Sequence, residues 1–178
     1  CNNRQVEIPD ELEGDIIAIL GLDSIPMLRP SCLQQQKPRK FAGERDLAAT
    51  PHGLSQFNPA NVADLYNFPA ANGQGQTIGI IELGGMYFQS DLNTYFADNN
   101  LPGPAPTINV VLVDGARQSD DDASIEVALD VDVIAAIVPR ATITVYFGKN
   151  TMQGFYRTIQ VAGQNNDIVS ISWGLDET

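Results

Sequence analysis

The stretch "SIEVALDVDVIAAIVPRATITVYF" (residues 124–147) contains a complete helix–strand unit and decides the fold. Its first part is apolar almost throughout, and Pro139 ends a predicted helix over residues 123–138. The following "TITVYF" (142–147) is a β-branched and aromatic run that is typical of a buried strand. One helix followed directly by one buried strand predicts an α/β protein.

The same alternation continues on both sides of this stretch. Three further strands are predicted, over 76–82, 107–114 and 167–172, and further helices over 58–68, over 90–99 with Ser90 as N-cap, and over 151–163. The strands are apolar without a two-residue alternation, which indicates a parallel sheet covered by helices on both faces.

The N-terminal part is organised differently. "QVEIP" (5–9) predicts a short strand, and a helix begins at the N-cap Asp10 and ends at Gly21. Residues 31–50 show no usable period and carry four of the ten basic residues, which indicates an exposed linker. We therefore place a boundary there.

Composition excludes several classes of protein. The chain has 178 residues, and its hydrophobic fraction of 43% is that of a globular protein. Its net charge is −12, so its surface repels phosphate backbones. It is not expected to bind nucleic acid. No apolar run reaches the roughly 18 residues that span a bilayer, so no membrane partner is expected. The first residues lack a Met and a leader pattern, which indicates a processed or truncated chain.

The few cysteines and the single histidine argue against several kinds of site. Cys1 and Cys32 are too few for a disulfide framework or a zinc site, although a bridge between them is possible. The single histidine, His52, lies in a loop flanked by Pro and Gly. A Ser-His-Asp triad therefore has little support.

The apolar helix contains three carboxylates. Glu126 and Asp130 are four residues apart and share one helix face, whereas Asp132 lies about 200° from Asp130 around the axis. If buried, two such groups hold a proton between them, and one can serve as a general base or acid. The alternative is that both acids lie on a solvated edge of the helix.

Two other segments lie where parallel sheets place ligands, at the carboxyl ends of the strands. Glu82 ends one strand before "LGG", although a solvated loop carboxylate is the alternative. Trp173 and Gly174 follow the last strand and leave backbone free to pair with an extended peptide, or Trp173 serves packing alone. The glycines around Glu82 lack the Gly-x-Gly-x-x-Gly order of dinucleotide sites.

Together these stretches resemble the sedolisin family of serine-carboxyl peptidases, most closely its kumamolisin-like members. The resemblance rests on "GQGQTIGIIELGG" (73–85), "IEVALDVDVIAAIVP" (125–139), "ITVYF" (143–147) and "IVSISWG" (168–174). The upstream "VEIPDELEGDIIAILGLDSIPMLRP" (6–30) resembles the closing strand and helix of the family's propeptide.

The resemblance implies a role for each matching residue. Glu126 matches the Glu that takes the proton from the serine nucleophile, and Asp130 matches the Asp that hydrogen-bonds that Glu. Glu82 and Trp173 match residues that extend this network. The stretch Ser172, Trp173 and Gly174 matches the edge along which the substrate backbone lies.

The sequence departs from the family in one respect. It contains no Gly-Thr-Ser segment, which carries the nucleophile, and it lacks the later strand with the oxyanion Asp and the C-terminal calcium ligands. The expected fold is thus about half of a subtilisin-like parallel sheet, preceded by a strand–helix remnant of the propeptide. Residues 1–30 would end the propeptide, 31–50 would hold the processing site, and 51–178 would begin the catalytic domain.

The resemblance implies a secreted serine-type endopeptidase precursor that acts in acid and is inactive as this chain alone. Its expected partners are a peptide or protein substrate, its own propeptide and the missing C-terminal half of the domain. No cofactor is expected in this chain, and calcium is expected only for the full-length protein. The alternatives are a non-catalytic peptide-binding or inhibitory relative, and a small-molecule α/β domain with incidental acids.

Overall fold

A computed structural model describes residues 28–30, 59–70 and 72–174, together with the single residues 9 and 11. In chain order its elements are β1 (Arg29–Pro30), α1 (Pro59–Leu65), β2 (Thr77–Glu82), α2 (Gln89–Asp98), β3 (Asn109–Leu112), a 3-10 turn (Val113–Gly115), α3 (Ser124–Ile137), β4 (Thr142–Phe147), α4 (Met152–Asn165), β5 (Ile168–Ile171) and β6 (Trp173–Gly174).

Some predictions fall on residues that the structure does not describe. The strand and helix predicted over 5–21 lie outside the described residues except for positions 9 and 11, and the linker 31–50 lies outside them entirely. The same holds for Cys1, Cys32 and His52.

The main sheet has four parallel strands in the order β3-β4-β2-β5. β2 is central and pairs with β4 along its full length, from Thr77 opposite Thr142 to Glu82 opposite Phe147. The predicted α/β class and parallel sheet are therefore confirmed, and the carboxyl ends of β2 and β4 lie at the same level.

Helices cover both faces of this sheet. On one face Ile80 and Val145 pack with Val127 and Val131 of α3, and α2 adds to the same cluster. On the other face Ile81, Tyr146 and Ala162 of α4 belong to a second cluster. Since side chains alternate along a strand, Glu82 lies on the same side as Ile80 and faces α3.

The helix α2 begins one residue earlier than predicted. Ser90 is not its N-cap, because Phe88 occupies that position and makes no side-chain cap. Instead, Gln89 ties the helix start to the chain that leads into β3: its Oε1 accepts from the Ile108 amide at 3.2 Å, and its Nε2 donates to the Pro106 carbonyl at 3.0 Å. Tertiary contacts thus set this boundary.

The strand β3 is shorter than the predicted range 107–114. It pairs only with β4, over Asn109 to Leu112, and the chain then enters the 3-10 turn, in which Asp114 has a left-handed conformation (φ 48°). Such a residue cannot continue a strand.

A second, two-stranded sheet was not predicted. β1 pairs antiparallel with β6, with Arg29 opposite Gly174 and Pro30 opposite Trp173. The ladder places a segment from the N-terminal part of the chain directly on the edge that follows β5.

None of the helices within the described residues has the length and apolarity needed to cross a membrane.

Candidate active site

Three elements meet at the carboxyl rim of the sheet. The end of β2 supplies Glu82, the first half of α3 supplies Glu126 and Asp130, and the segment after β5 supplies Ser172 and Trp173. Because β2 is an inner strand and α3 packs on its face, residues 42 to 91 positions apart in sequence become neighbours.

Glu82 is completely buried and makes one hydrogen bond with a side chain. The indole Nε1 of Trp173 donates to its Oε2 at 2.8 Å, while its Oε1 has no hydrogen-bond partner among the described residues. Burial raises the pKa of Glu82 to about 9. The Trp173 bond opposes this rise, and the charges of Asp130 and Glu126 add to it. Glu82 is therefore a neutral carboxylic acid at acid and neutral pH.

Asp130 makes a hydrogen bond with the segment that follows β5. Ser172 Oγ donates to its Oδ1 at 2.9 Å, and its Oδ2 is buried with no hydrogen-bond partner in the described part of the chain. Burial raises the pKa of Asp130 to about 6, the Ser172 bond lowers it, and the charge of Glu126 raises it. The rim thus contains a second acid that keeps its proton in mildly acidic solution.

Glu126 lies in the first turn of α3 and is only 1% exposed. Its charge raises the pKa of both Glu82 and Asp130, so the three carboxyl groups interact with one another. The alternative of a solvated helix edge is therefore wrong for Glu126.

Asp132 points away from this cluster, as its helical position predicted. It lines a separate cavity of about 230 Å³ together with Tyr87 and Asp91. Burial raises the pKa of Asp132 to about 6, and the charge of Asp91 raises it further.

A glycine turn lets the end of β2 approach the start of α3. Gly85 has φ +77°, and a Cβ there would lie 2.7 Å from the Ala123 backbone, so both the conformation and the space require glycine. The next residue, Met86, donates its amide to Ser124 Oγ at 3.1 Å. These contacts seat the loop after Glu82 on the first turn of α3.

The edge beyond β5 is occupied by another part of the chain. Trp173 and Gly174 pair with Pro30 and Arg29, as described above, and Leu28 is clamped by Asn150 beside them. Sequence reasoning assigned the edge to residues 172–174 but missed Asn150. Its position just after the carboxyl end of β4 was a usable signal, since ligands gather at such ends.

No protein-family model matches the chain. It is 39% identical over 178 residues to kumamolisin from Bacillus sp. (strain MN-32), an alignment that covers 95% of this chain and 31% of that protein. It is 28% identical to tripeptidyl-peptidase sed5 from Aspergillus fumigatus, over 94% of this chain and 30% of that protein. This chain is therefore a homologue of kumamolisin. It spans about a third of the length of these curated relatives.

The protonation of the rim carboxyls determines what chemistry this site can carry out. Below about pH 6 both Glu82 and Asp130 carry their protons, so neither adds a negative charge to the buried rim. Each of these two acids then has a proton to donate and a hydrogen-bond donor beside it, Trp173 for Glu82 and Ser172 for Asp130. Among the described residues, no group of three His, Cys, Asp or Glu side chains could hold a metal ion.

Proposed function

We propose that this chain is part of a serine-type endopeptidase precursor of the sedolisin kind and carries its acid–base machinery. The observation that supports this most is the meeting of Glu82, Glu126 and Asp130 at one rim. Glu126 would take the proton from the serine nucleophile, and Asp130 would keep Glu126 poised. Glu82 and Trp173 would extend the network and fix its geometry.

The electrostatics of the rim suit work in acid. A histidine base is lost to protonation at low pH, whereas a carboxylate stays usefully ionised there. As pH rises through the raised pKa values of Asp130 and Glu82, additional negative charge accumulates in a buried cluster. The network therefore favours acid conditions.

The edge of β6 supports peptide binding. Antiparallel pairing of β1 with Trp173 and Gly174 is the backbone geometry by which an extended peptide adds to a sheet edge. In the proposed precursor, residues 1–30 end the propeptide, so Arg29 and Pro30 occupy the place of a substrate.

The rest of the catalytic machinery would come from a further portion of the protein. This sequence contains no Gly-Thr-Ser segment for the nucleophile. The missing portion would also supply the oxyanion Asp and the calcium ligands, and no step here is assigned to calcium. The exposed Ile125, Leu129 and Val133 on α3 form an apolar stripe that such a portion would cover. As in the family, the whole protein would be secreted.

The test uses the full product of the native gene and compares three isosteric variants on α3. Glu126→Gln is expected to reduce kcat on casein at acid pH by roughly 10²- to 10⁴-fold, since that is the usual contribution of a general base. Asp130→Asn should also reduce kcat. Asp132→Asn is the matched control, because Asp132 lies on the same helix outside the cluster, and its activity should change only a few-fold. Full activity of Glu126→Gln would contradict the proposal.

A second candidate is a non-catalytic peptide-binding or inhibitory relative. The pairing of β1 with β6 favours it, because this pairing needs no serine. A full gene product that has no Gly-Thr-Ser segment and no hydrolytic activity, but binds peptides, would support this candidate over the peptidase.

A further inference from the structure

One side chain satisfies both backbone polar groups of Leu28. The Leu28 amide donates to Asn150 Oδ1 at 3.0 Å, and Asn150 Nδ2 donates to the Leu28 carbonyl at 2.7 Å. A primary amide that pairs with a backbone in this way imitates the exchange of hydrogen bonds between two strands. Asn150 therefore reads the main chain of an extended segment.

The side chain of Leu28 fills an apolar site. Leu28 is 5% exposed and belongs to the cluster that contains Leu83 and Trp173. An open groove of about 640 Å³ lies beside this segment and is lined by Leu28 and Pro30 as well as by Leu83, Asn150 and Trp173. The groove thus combines a backbone clamp with a place for an aliphatic side chain.

The residues after Leu28 alternate between buried and exposed. Arg29 is exposed opposite Gly174, and Pro30 is buried opposite Trp173. The alternation is that of a strand with one face against the protein. The groove therefore contacts the first and third residues of the segment and leaves the middle side chain in solvent.

The register relates this groove to the carboxyl cluster. Consider a peptide bound in the same register, with one residue in the place of Pro30. Because the pairing runs antiparallel, the next residue of that peptide would lie opposite Ser172. Ser172 donates to Asp130, so that peptide residue faces the acids. The aliphatic site lies three residues earlier in the peptide.

We propose that this groove is a specificity site for extended peptides with leucine or a similar aliphatic residue three positions before the residue that faces Ser172. Asn150 is the positioning residue that holds the backbone of that leucine. The proposal rests on the proposed function, because it names the class of substrate for the same site, but it concerns binding and not proton transfer.

The test measures peptide binding to the full chain. The substitution Leu28→Asp displaces the chain's own residues 28–30 from the groove, so that the site is open to a peptide. The probe is acetyl-Pro-Met-Leu-Arg-Pro-Ser-amide with a fluorescent label, which copies residues 26–31. Its affinity is measured by anisotropy. If circular dichroism shows that Leu28→Asp does not fold, Leu28→Ala serves instead. The unaltered chain should bind the probe more weakly, because its own Leu28 fills the site.

Replacement of the probe's leucine by alanine should weaken binding by about ten- to a hundredfold, as expected for loss of a buried aliphatic side chain. Replacement of its arginine by glutamine should change the affinity by less than about threefold, because the equivalent side chain is exposed.

The clamp is tested by a cycle between Asn150→Ala and an N-methyl-leucine probe, which lacks the donated N–H. Asn150→Ala should weaken binding by about five- to thirtyfold, as expected for two neutral hydrogen bonds. N-methylation of the probe should weaken its binding to the protein that retains Asn150. It should have little further effect on binding to the Asn150→Ala variant. Asn93→Ala, an exposed asparagine on α2, is the matched control and should bind normally.

Equal losses on N-methylation with and without Asn150, or an unchanged affinity of Asn150→Ala, would overturn the clamp. Absence of any probe binding up to millimolar concentration would overturn the specificity site. In either case the kcat effect of Glu126→Gln in the full gene product would still decide the proposed peptidase function separately.

Discussion

At the scale of single residues, Glu82 couples stability to pH. Its pKa rises from an ordinary 4.5 to about 9 on folding, so between these values the folded chain binds a proton that the unfolded chain has released. The unfolded state is then increasingly favoured as pH rises, and the folded chain loses stability. Asp130 acts in the same direction between 3.8 and about 6.

We therefore predict that the free energy of unfolding falls as pH rises from about 4 to about 9. The slope from Glu82 is at most about 1.4 kcal/mol per pH unit. Glu82→Gln keeps the shape of the neutral acid but cannot ionise, so it should flatten the dependence and stabilise the chain near pH 8. Urea unfolding at a series of pH values measures this, and a stability that rises with pH would contradict it.

Trp173 supplies a hydrogen bond to the buried carboxyl group of Glu82. Trp173→Phe removes the Nε1–H and is expected to destabilise the chain by about 1–3 kcal/mol. Because the bond lowers the pKa of Glu82, its loss should also move the pH dependence to higher pH. Tyr156→Phe removes an exposed hydroxyl and is the control, with little effect on either quantity in urea unfolding. Equal effects of the two variants would refute the assignment.

At the scale of elements, α3 has two apolar faces. Val127, Val131 and Ala135 are fully buried against the sheet. Ile125 and Leu129 lie on the other face and are 57% and 47% exposed. A helix that is apolar all round is normally buried on all sides, so the outer face of α3 is suited to contact with a further protein element.

We predict that the outer face of α3 limits solubility and contributes little to stability. The pair Ile125→Lys and Leu129→Lys should reduce self-association of the chain in analytical ultracentrifugation while changing the free energy of unfolding by less than about 1 kcal/mol. Val127→Ala and Val131→Ala on the buried face are the matched controls and should each destabilise by about 1–3 kcal/mol. A monodisperse unaltered chain would count against this interpretation.

Sequence patterns predicted the elements whose own residues determine them. β2 and β4 have the predicted cores because their apolar runs are buried on both sides, and α3 ends before Pro139 as expected. Boundaries that depend on partners were missed. Gln89 starts α2 through contacts near Pro106, and the left-handed Asp114 ends β3 early.

The same distinction applies to the candidate site. The sequence was sufficient to predict that these acids meet at one rim. Glu126 and Asp130 are one helical turn apart, and Glu82 lies at the end of a strand. The contact of Leu28 with Asn150 spans 122 residues and involves two-residue strands, for which no periodic pattern exists. The catalytic roles of Glu82, Glu126 and Asp130 remain predictions. The domain boundary at residues 31–50 also remains a prediction.

At the scale of the whole molecule, the chain corresponds to part of longer relatives. It aligns with about a third of kumamolisin and contains a buried acid cluster, and its sequence has no Gly-Thr-Ser segment. In the proposed function, this cluster supplies a general base. A general base without a nucleophile or an oxyanion site cannot carry out acyl transfer.

The isolated chain is therefore expected not to hydrolyse casein at acid pH. It should also remain unlabelled by a fluorophosphonate that reacts with activated serines, because none of its eight serines lies in the required segment. Release of acid-soluble peptides and gel fluorescence measure the two properties. Turnover that disappears in Glu126→Gln would show that another residue of this chain acts as nucleophile.

The most direct test of the whole account is the titration of the rim carboxyls by ¹³C NMR, with Glu82 and Asp130 assigned by isosteric substitution. We expect pKa values of about 9 for Glu82 and about 6 for Asp130, and a decrease of both in Glu126→Gln, because the charge of Glu126 raises them. Titration of both groups near pH 4, unaffected by Glu126→Gln, would contradict a coupled acid cluster at this site.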